Sequence, residues 1–136
     1  MRIERITDIE EVMKCIPFEQ EIRNKGRDNL RISKMLLFLR EQLDNPMIKF
    51  LMAYDEDEIV GYAIAAISLV PSMERLHLMR IYAKRKDVRE GFEKILTEWA
   101  KEYKVKTAQM TMHKHIKAIE RRYKWKAVSV NMERRI

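Results

Sequence analysis

The feature that most constrains the fold is a pair of apolar, β-rich runs in the middle of the chain. Residues 49–54 and 59–70 form the two runs, and only the four acidic residues 55–58 separate them. Two such runs around a short polar turn are typical of an antiparallel hairpin. Gly61 lies inside the second run, where a glycine indicates a bulge or a close backbone approach. The sequence therefore predicts a sheet built around this hairpin.

The segments around the hairpin alternate between helical and strand patterns. Before it, a short strand is followed by two amphipathic helices, the first capped by Asp8 with Pro17 soon after its end, and the second capped by Asp28 or Asn29. After it, the patterns predict a strand over 76–83, a helix over 88–103, a strand over 105–113, a basic helix over 116–123 and a strand over 127–136. The order β-α-α-β-β-β-α-β-α-β predicts a mixed α/β (α+β) domain, with a central twisted six-stranded sheet covered by helices on both faces.

Length and composition limit the class of protein. A chain of 136 residues with 46% hydrophobic content fits one domain over residues 1–136 and is too short for two. The single cysteine, Cys15, excludes an internal disulfide and a multi-cysteine zinc site. No apolar run approaches the roughly 20 residues of a membrane span, and the first residues lack a secretory signal pattern. We therefore expect a cytoplasmic protein without a membrane partner.

Positive charge is concentrated in the second half of the chain. The net charge is +7, and residues 71–136 hold 18 Lys and Arg against 8 Asp and Glu. A basic face attracts nucleic acid, an acidic protein or the phosphates of a nucleotide cofactor. The alternative is a solvated surface with no ligand. Charge alone does not decide between them.

Four stretches carry a resemblance to a known family. They are residues 58–62 in the hairpin, 80–84 at the end of the next strand, 88–96 at the start of the long helix, and 118–126 in the last helix and the turn after it. With the order of elements, they make the chain similar to the GNAT superfamily of acyl-CoA-dependent N-acetyltransferases. The resemblance covers nearly the whole chain. It implies one GNAT-like domain that transfers an acetyl group directly from acetyl-CoA to an amine acceptor.

The resemblance also implies where acetyl-CoA binds. In the family, the pyrophosphate is held by backbone N–H groups at a helix N-terminus, within the pattern Arg/Gln-x-x-Gly-x-Gly/Ala. An ungapped match places Val88 at the first position, Gly91 at the middle glycine and Glu93 at the last, where a carboxylate repels pyrophosphate. Nearby cations could offset it, and the alternative is a plain helix start. The implied cofactor-binding residues are Arg89, Glu90, Gly91, Phe92, Glu93 and Lys94 for the pyrophosphate, and Met79, Arg80, Ile81 and Tyr82, through their backbone, for pantetheine.

Acetyl transfer to an amine needs a base for the ammonium proton and an acid for the departing thiolate. The family often uses a tyrosine of its last helix as the acid, and that position holds Glu120 here. Tyr123 shares a helix face with Glu120 and could replace the tyrosine, or it could simply pack in the core. Glu74 and His77, at the start of the fourth strand, are the candidate bases. No carboxylate–histidine cluster completes a metal site, so no metal is expected.

The basic end of the chain supports a different class of function. Residues 114–126 hold six Lys and Arg and one Glu, with Tyr123 and Trp125 among them. Cations interleaved with aromatic rings suit phosphates and stacked bases. The alternative to the enzyme is thus a non-catalytic GNAT-like module that binds nucleic acid or an acidic protein. The acceptor amine and the oligomeric state stay open, with a homodimer among the alternatives.

Overall fold

A computed structural model describes residues 1–22 and 29–110, together with Arg121 and Arg134. The strands in this part of the chain form one sheet in the order β1-β2-β3-β4-β5. Strands β1 to β4 pair antiparallel in chain order, and β5 pairs parallel to β4. The predicted mixed sheet is therefore confirmed. Its strands are β1 (Arg2–Arg5), β2 (Ile48–Asp55), β3 (Glu58–Ser68), β4 (Arg75–Ala83) and β5 (Ala108–Met110).

The predicted hairpin is formed by β2 and β3, which turn tightly between Asp55 and Glu58. The strand register shifts near Gly61, which pairs with Ala53. A Cβ atom on Gly61 would lie 2.6 Å from the carbonyl oxygen of Tyr82 and 2.8 Å from Val88 Cγ1. The glycine therefore allows the close approach that its position in the sequence predicts.

Helices occupy the segments that the apolar periodicity predicts, with one difference. They are α1 (Ile9–Val12), followed by the 3₁₀ turn Met13–Cys15, α2 (Ile16–Ile22), α3 (Asn29–Gln42) and α4 (Lys86–Glu102). Asp8 caps α1 as predicted, because its side chain accepts a hydrogen bond from the N–H of Glu10 at 3.0 Å. Pro17 does not follow the first helical segment but lies in the first turn of α2. A proline is tolerated there because the first N–H groups of a helix have no intrahelical acceptor.

The helices cover both faces of the sheet, as predicted. On one face, called here the α4 face, Val88, Phe92 and Leu96 of α4 pack on side chains of β2, β3 and β4. On the opposite face, called here the α2 face, side chains of α1, the 3₁₀ turn and α3 pack on alternate residues of β2 and β3. In β2, the residues from Phe50 to Tyr54 are therefore buried alternately on the two faces, as a regular strand requires.

The end of the predicted topology lies outside the described residues. Residues 111–113 of the predicted fifth strand are not described. The predicted basic helix and sixth strand are not described either, apart from Arg121 and Arg134. Within the described part, no helix is long and apolar enough to cross a lipid bilayer.

Candidate active site

A bulge interrupts β4 at Met79. Leu78 pairs with Ala65 of β3 and Arg80 pairs with the adjacent Ile64, so Met79 is an extra residue with no partner of its own. A bulge leaves its extra residue outside the ladder and bends the strand. Met79 is 49% exposed, in contrast to the buried Leu78 before it. Met79 thus lies outside the β3–β4 ladder, and its side chain is not part of either core.

The bulge also changes which residues of β4 point to each face. Leu76 and Leu78, before it, pack on the α4 face. Strict alternation would send Arg80 to the same face, into an apolar core. Because one residue is inserted, Ile81 packs on the α4 face instead, and Arg80 and Tyr82 point to the α2 face.

A cavity lies beside the bulge, between β4 and β5. Its volume is about 250 Å³, and it is open to solvent on one side. The last described pair of the two parallel strands, Leu78 with Met110, is at this level of the sheet. Five residues line the cavity: His77, Leu78, Met79, Gln109 and Met110. A concave site with apolar walls and a few polar groups is the usual form of a small-molecule site.

The start of α4 follows β4 directly and is rich in charge. The first backbone hydrogen bond of the helix joins the N–H of Arg89 to the carbonyl of Arg85, so the earlier N–H groups, of Lys86, Asp87 and Val88, have no intrahelical acceptor. The Arg85 guanidinium binds Asp55 at 2.8 Å and Asp87 at 3.1 Å. The pKa values of the Asp55 and Asp87 carboxyl groups are lowered, mainly by their hydrogen bonds to Arg85.

The residues predicted as a phosphate-binding loop lie inside α4. The helix begins at Lys86, so the backbone N–H groups of residues 90–94 point to helix carbonyls, and the prediction of free donors there is wrong. The contacts of Gly91, Phe92 and Glu93 are those of residues in a packed helix. A Cβ on Gly91 would lie 2.7 Å from Ile3 Cδ1, Phe92 is fully buried, and Glu93 pairs with Arg89 at 3.4 Å.

A buried polar cluster joins α2 to the bulged strand. Glu19 is fully buried, and its carboxylate accepts hydrogen bonds from Arg80 Nε at 2.6 Å and Nη2 at 2.9 Å. It also accepts one from the Tyr62 hydroxyl at 2.5 Å. Burial, and then the hydrogen bond to Glu19, raises the pKa of Tyr62 far above its usual range, so its hydroxyl stays protonated. The cluster orders the α2 face next to the cavity.

Sequence reasoning missed Glu19 and Tyr62 as parts of this region. A signal was present, because Val12, Cys15 and Glu19 follow the i, i+3, i+7 spacing of one helix face. The expectation that the helix ended near Pro17 concealed it. Cys15 on the same face is fully buried, and burial raises the pKa of its thiol to about 12, which makes it a poor nucleophile.

The predicted catalytic residues have different positions. His77 lies half-buried in β4 and lines the cavity, and burial followed by the nearby Arg75 charge lowers its pKa. Glu74 is exposed in the turn before β4 and does not line the cavity. Glu120 and Tyr123 lie outside the described residues. In the described part of the chain, no three His, Cys, Asp or Glu side chains are grouped to hold a metal ion.

Several solved structures with the same arrangement are acetyltransferases. A predicted acetyltransferase from Clostridium acetobutylicum, solved with acetyl-CoA, has a TM-score of 0.77 at 16% identity, over 98% of this chain and 95% of the other. The aminoglycoside 6′-N-acetyltransferase of Acinetobacter haemolyticus has a TM-score of 0.72 at 17% identity, over 100% and 99% of the two chains. An aminoglycoside N-acetyltransferase in complex with CoA has a TM-score of 0.68 at 12% identity, over 99% and 98%.

No sequence-family model and no curated protein sequence matches the chain. The likeness establishes the GNAT fold, as the order of elements predicts.

Proposed function

We propose that this chain, which has the GNAT fold, is an N-acetyltransferase that moves an acetyl group directly from acetyl-CoA to an amine acceptor. The observation that carries the proposal is the bulged β4 beside the β4–β5 cavity. Solved structures of the same fold include complexes with acetyl-CoA and with CoA. The cavity and the bulged strand next to it form a site that suits a thioester and its pantetheine arm.

In this proposal, acetyl-CoA lies along the second half of β4. Pantetheine amides pair with backbone groups of residues 79–82, and the acetyl group reaches the cavity at Met79. The pyrophosphate lies towards the start of α4, near the cations Lys84, Arg85 and Lys86 and the N–H groups of the first turn. Asp87 already supplies a negative charge at this helix start. We therefore expect weaker cofactor affinity than a glycine-rich loop would give.

His77 is the proposed base. It lines the cavity, and its lowered pKa keeps the imidazole neutral at neutral pH, ready to accept a proton directly or through a water molecule. The amine nitrogen then attacks the thioester carbonyl. The tetrahedral intermediate gives its second N–H proton to water and collapses to the amide with loss of the CoA thiolate. That thiolate takes up a proton from an acid. Tyr123, with Glu120 on the same face, remains the predicted acid.

Calorimetric titration with acetyl-CoA tests the proposal. We expect micromolar binding, and release of CoA thiol when a suitable amine is added. Met79→Trp places a large ring at the mouth of the cavity and should weaken binding at least about tenfold. The matched control is Met73→Trp, at a methionine of similar exposure, 54%, in the turn before β4. An absence of binding at millimolar acetyl-CoA, or equal effects of the two variants, would refute the proposal.

The binding-module alternative depends on the basic residues 114–126, of which only Arg121 is described. Nucleic acid and acidic-protein partners, the homodimer and the cytoplasmic location therefore stay predictions. The same titration separates the two functions, because a module without acetyl-CoA binding would show no heat at millimolar cofactor.

A further inference from the structure

One side-chain contact joins β4 to β5 at the edge of the cavity. Arg75 begins β4, and its Nη1 donates a hydrogen bond to Gln109 Oε1 in β5 at 2.7 Å. Gln109 itself lines the cavity. The Gln109 amide oxygen is used by the guanidinium, so the amide nitrogen of Gln109 is the group that can donate a hydrogen bond to a ligand. Within residues 1–22 and 29–110, this nitrogen has no side-chain or backbone acceptor.

The positive charge of Arg75 is not neutralised by the described part of the protein. Arg80 pairs with Glu19, and Arg85 pairs with Asp55 and Asp87. Arg75, in contrast, has no carboxylate partner among the described residues, and its Nε is buried there without a hydrogen-bond acceptor. An unpaired buried donor destabilises the folded state unless a ligand supplies an acceptor nearby. The donors left for a ligand are therefore those of the Nη atoms, of which Nη1 uses one for Gln109. A partly buried cation with such donors is suited to binding an anion.

The direction of the bound cofactor places the acceptor at this end of β4. If the pyrophosphate lies near the start of α4 and the acetyl group near Met79, the acceptor enters from the opposite side. There, Arg75 and His77 are two positions apart on the same strand and point to the same face, about 7 Å apart along it. An acceptor of a few bonds' length can therefore contact both.

We propose that the acceptor carries an anionic group, a carboxylate or a phosphate, close to its reactive amine, and that Arg75 and Gln109 bind this group. The inference rests on the proposed function, because it assigns the substrate class of the same site. The guanidinium and the Gln109 amide supply converging N–H donors, and the amine lies next to His77. Polycationic amines are repelled by the Arg75 charge and are expected to be poor acceptors.

Matched acceptor pairs test the inference once acetyl-CoA binding is established. Each pair differs only in the anion: an amino acid against its carboxamide, and O-phosphoethanolamine against ethanolamine. We expect kcat/KM to be at least about tenfold higher for the anionic member of one pair, and the pair that responds identifies carboxylate or phosphate. Arg75→Gln should reduce the ratio of kcat/KM between the two members of the pair to less than about twofold, and Arg75→Lys should restore part of the ratio. Equal rates within both pairs, or no turnover of any anionic amine, would overturn the inference.

A binding measurement gives a second readout that does not depend on turnover. N-acetylglycine and inorganic phosphate serve as probes, and NMR signals of the His77 ring and the Gln109 side-chain amide report on binding. We expect saturable shifts of both signals with one probe in the wild-type chain and none in Arg75→Gln. Unchanged signals would reject the anion site, whereas a failure of acetyl-CoA to bind would reject the proposed function instead.

Discussion

Arg80 holds the buried carboxylate of Glu19 through two hydrogen bonds, Nε to Oε1 at 2.6 Å and Nη2 to Oε2 at 2.9 Å. Arg80 is the residue directly after the bulged Met79, and Glu19 belongs to α2. The pair therefore fixes α2 against β4 at the level of the candidate site. It exists because the bulge directs Arg80 to the α2 face rather than into the apolar core on the α4 face.

Removing one member of this pair should destabilise the fold strongly. Arg80→Met removes a guanidinium that donates two hydrogen bonds to the buried Glu19 carboxylate, and loss of one member of a buried ion pair typically costs about 3–5 kcal/mol of unfolding free energy. Urea denaturation measures the loss. As a control, the triple variant Glu19→Leu, Arg80→Met, Tyr62→Phe removes the whole polar cluster and should lose less stability than Arg80→Met alone. A single variant as stable as wild type would show that the pair does not matter for folding.

The sequence predicts most of the fold because hydrophobic periodicity determines element type and buried face locally. The hairpin of β2 and β3, the crossover α4 and the coverage of both faces all follow from spacing alone. The helix α2 that begins next to Pro17 could not be predicted from spacing. In a sequence, a proline in the first turn of one helix looks the same as a proline that follows the end of the previous helix. The buried Glu19 was missed as a consequence.

The site was less predictable than the fold. Its central feature, the bulge at Met79, has no local signal, because a methionine between Leu78 and Arg80 is compatible with a regular strand. The register with β3 decides it, and register is a tertiary property. The loop motif matched to residues 88–93 was misleading for a related reason. Gly91 matches a loop motif, yet it lies inside a helix, where its neighbour is the tip of the Ile3 side chain.

Deleting Met79 should remove the bulge without changing the face of any other residue in β4. Leu78 and Arg80 already pair with the adjacent residues Ala65 and Ile64, so the deletion produces a regular ladder. We expect the circular dichroism spectrum to be retained and acetyl-CoA affinity to fall at least about tenfold, because the strand backbone is paired and the cavity wall is lost. Wild-type affinity in a folded deletion variant would show that the bulge is not part of the cofactor site.

Alanine at two glycines should have opposite effects. Gly61→Ala brings a Cβ to within 2.6 Å of a backbone oxygen, that of Tyr82, and such overpacking typically costs about 1–3 kcal/mol. Gly91→Ala meets only the flexible tip of Ile3, and alanine in a helix interior is favoured by up to about 1 kcal/mol over glycine. Urea denaturation compares the two. Acetyl-CoA affinity should be unchanged in Gly91→Ala, and a large loss there would return Gly91 to the phosphate site.

Stability should fall above about pH 9. Burial raises the pKa of Cys15 from 9.0 to about 12, and it raises the pKa of Tyr54 and Tyr62 above the usual 10.0. Above these ordinary values the unfolded chain loses protons that the folded chain keeps, so the unfolding free energy decreases with pH, by up to about 1.4 kcal/mol per pH unit for each group. Urea denaturation from pH 7 to 10.5 measures the decline. Cys15→Ala should delay its onset towards pH 10, and equal profiles would contradict the assignment to Cys15.

The pH dependence of catalysis should report the titration of His77. Burial is the larger cause of its lowered pKa and the Arg75 charge the smaller, while its neighbours across the sheet, Ala66 and Gln109, carry no charge. A base must be neutral to act, so kcat at saturating acceptor should fall only as the pH drops below the ordinary histidine value of about 6.5. His77→Asn should lower kcat about 10²–10⁴-fold and abolish this limb of the profile.

NMR titration of the free protein supplies the independent check, because Arg75→Gln removes the smaller cause and should raise the His77 pKa. A kcat for His77→Asn within threefold of wild type, or a limb that persists in that variant, would assign the base to another group.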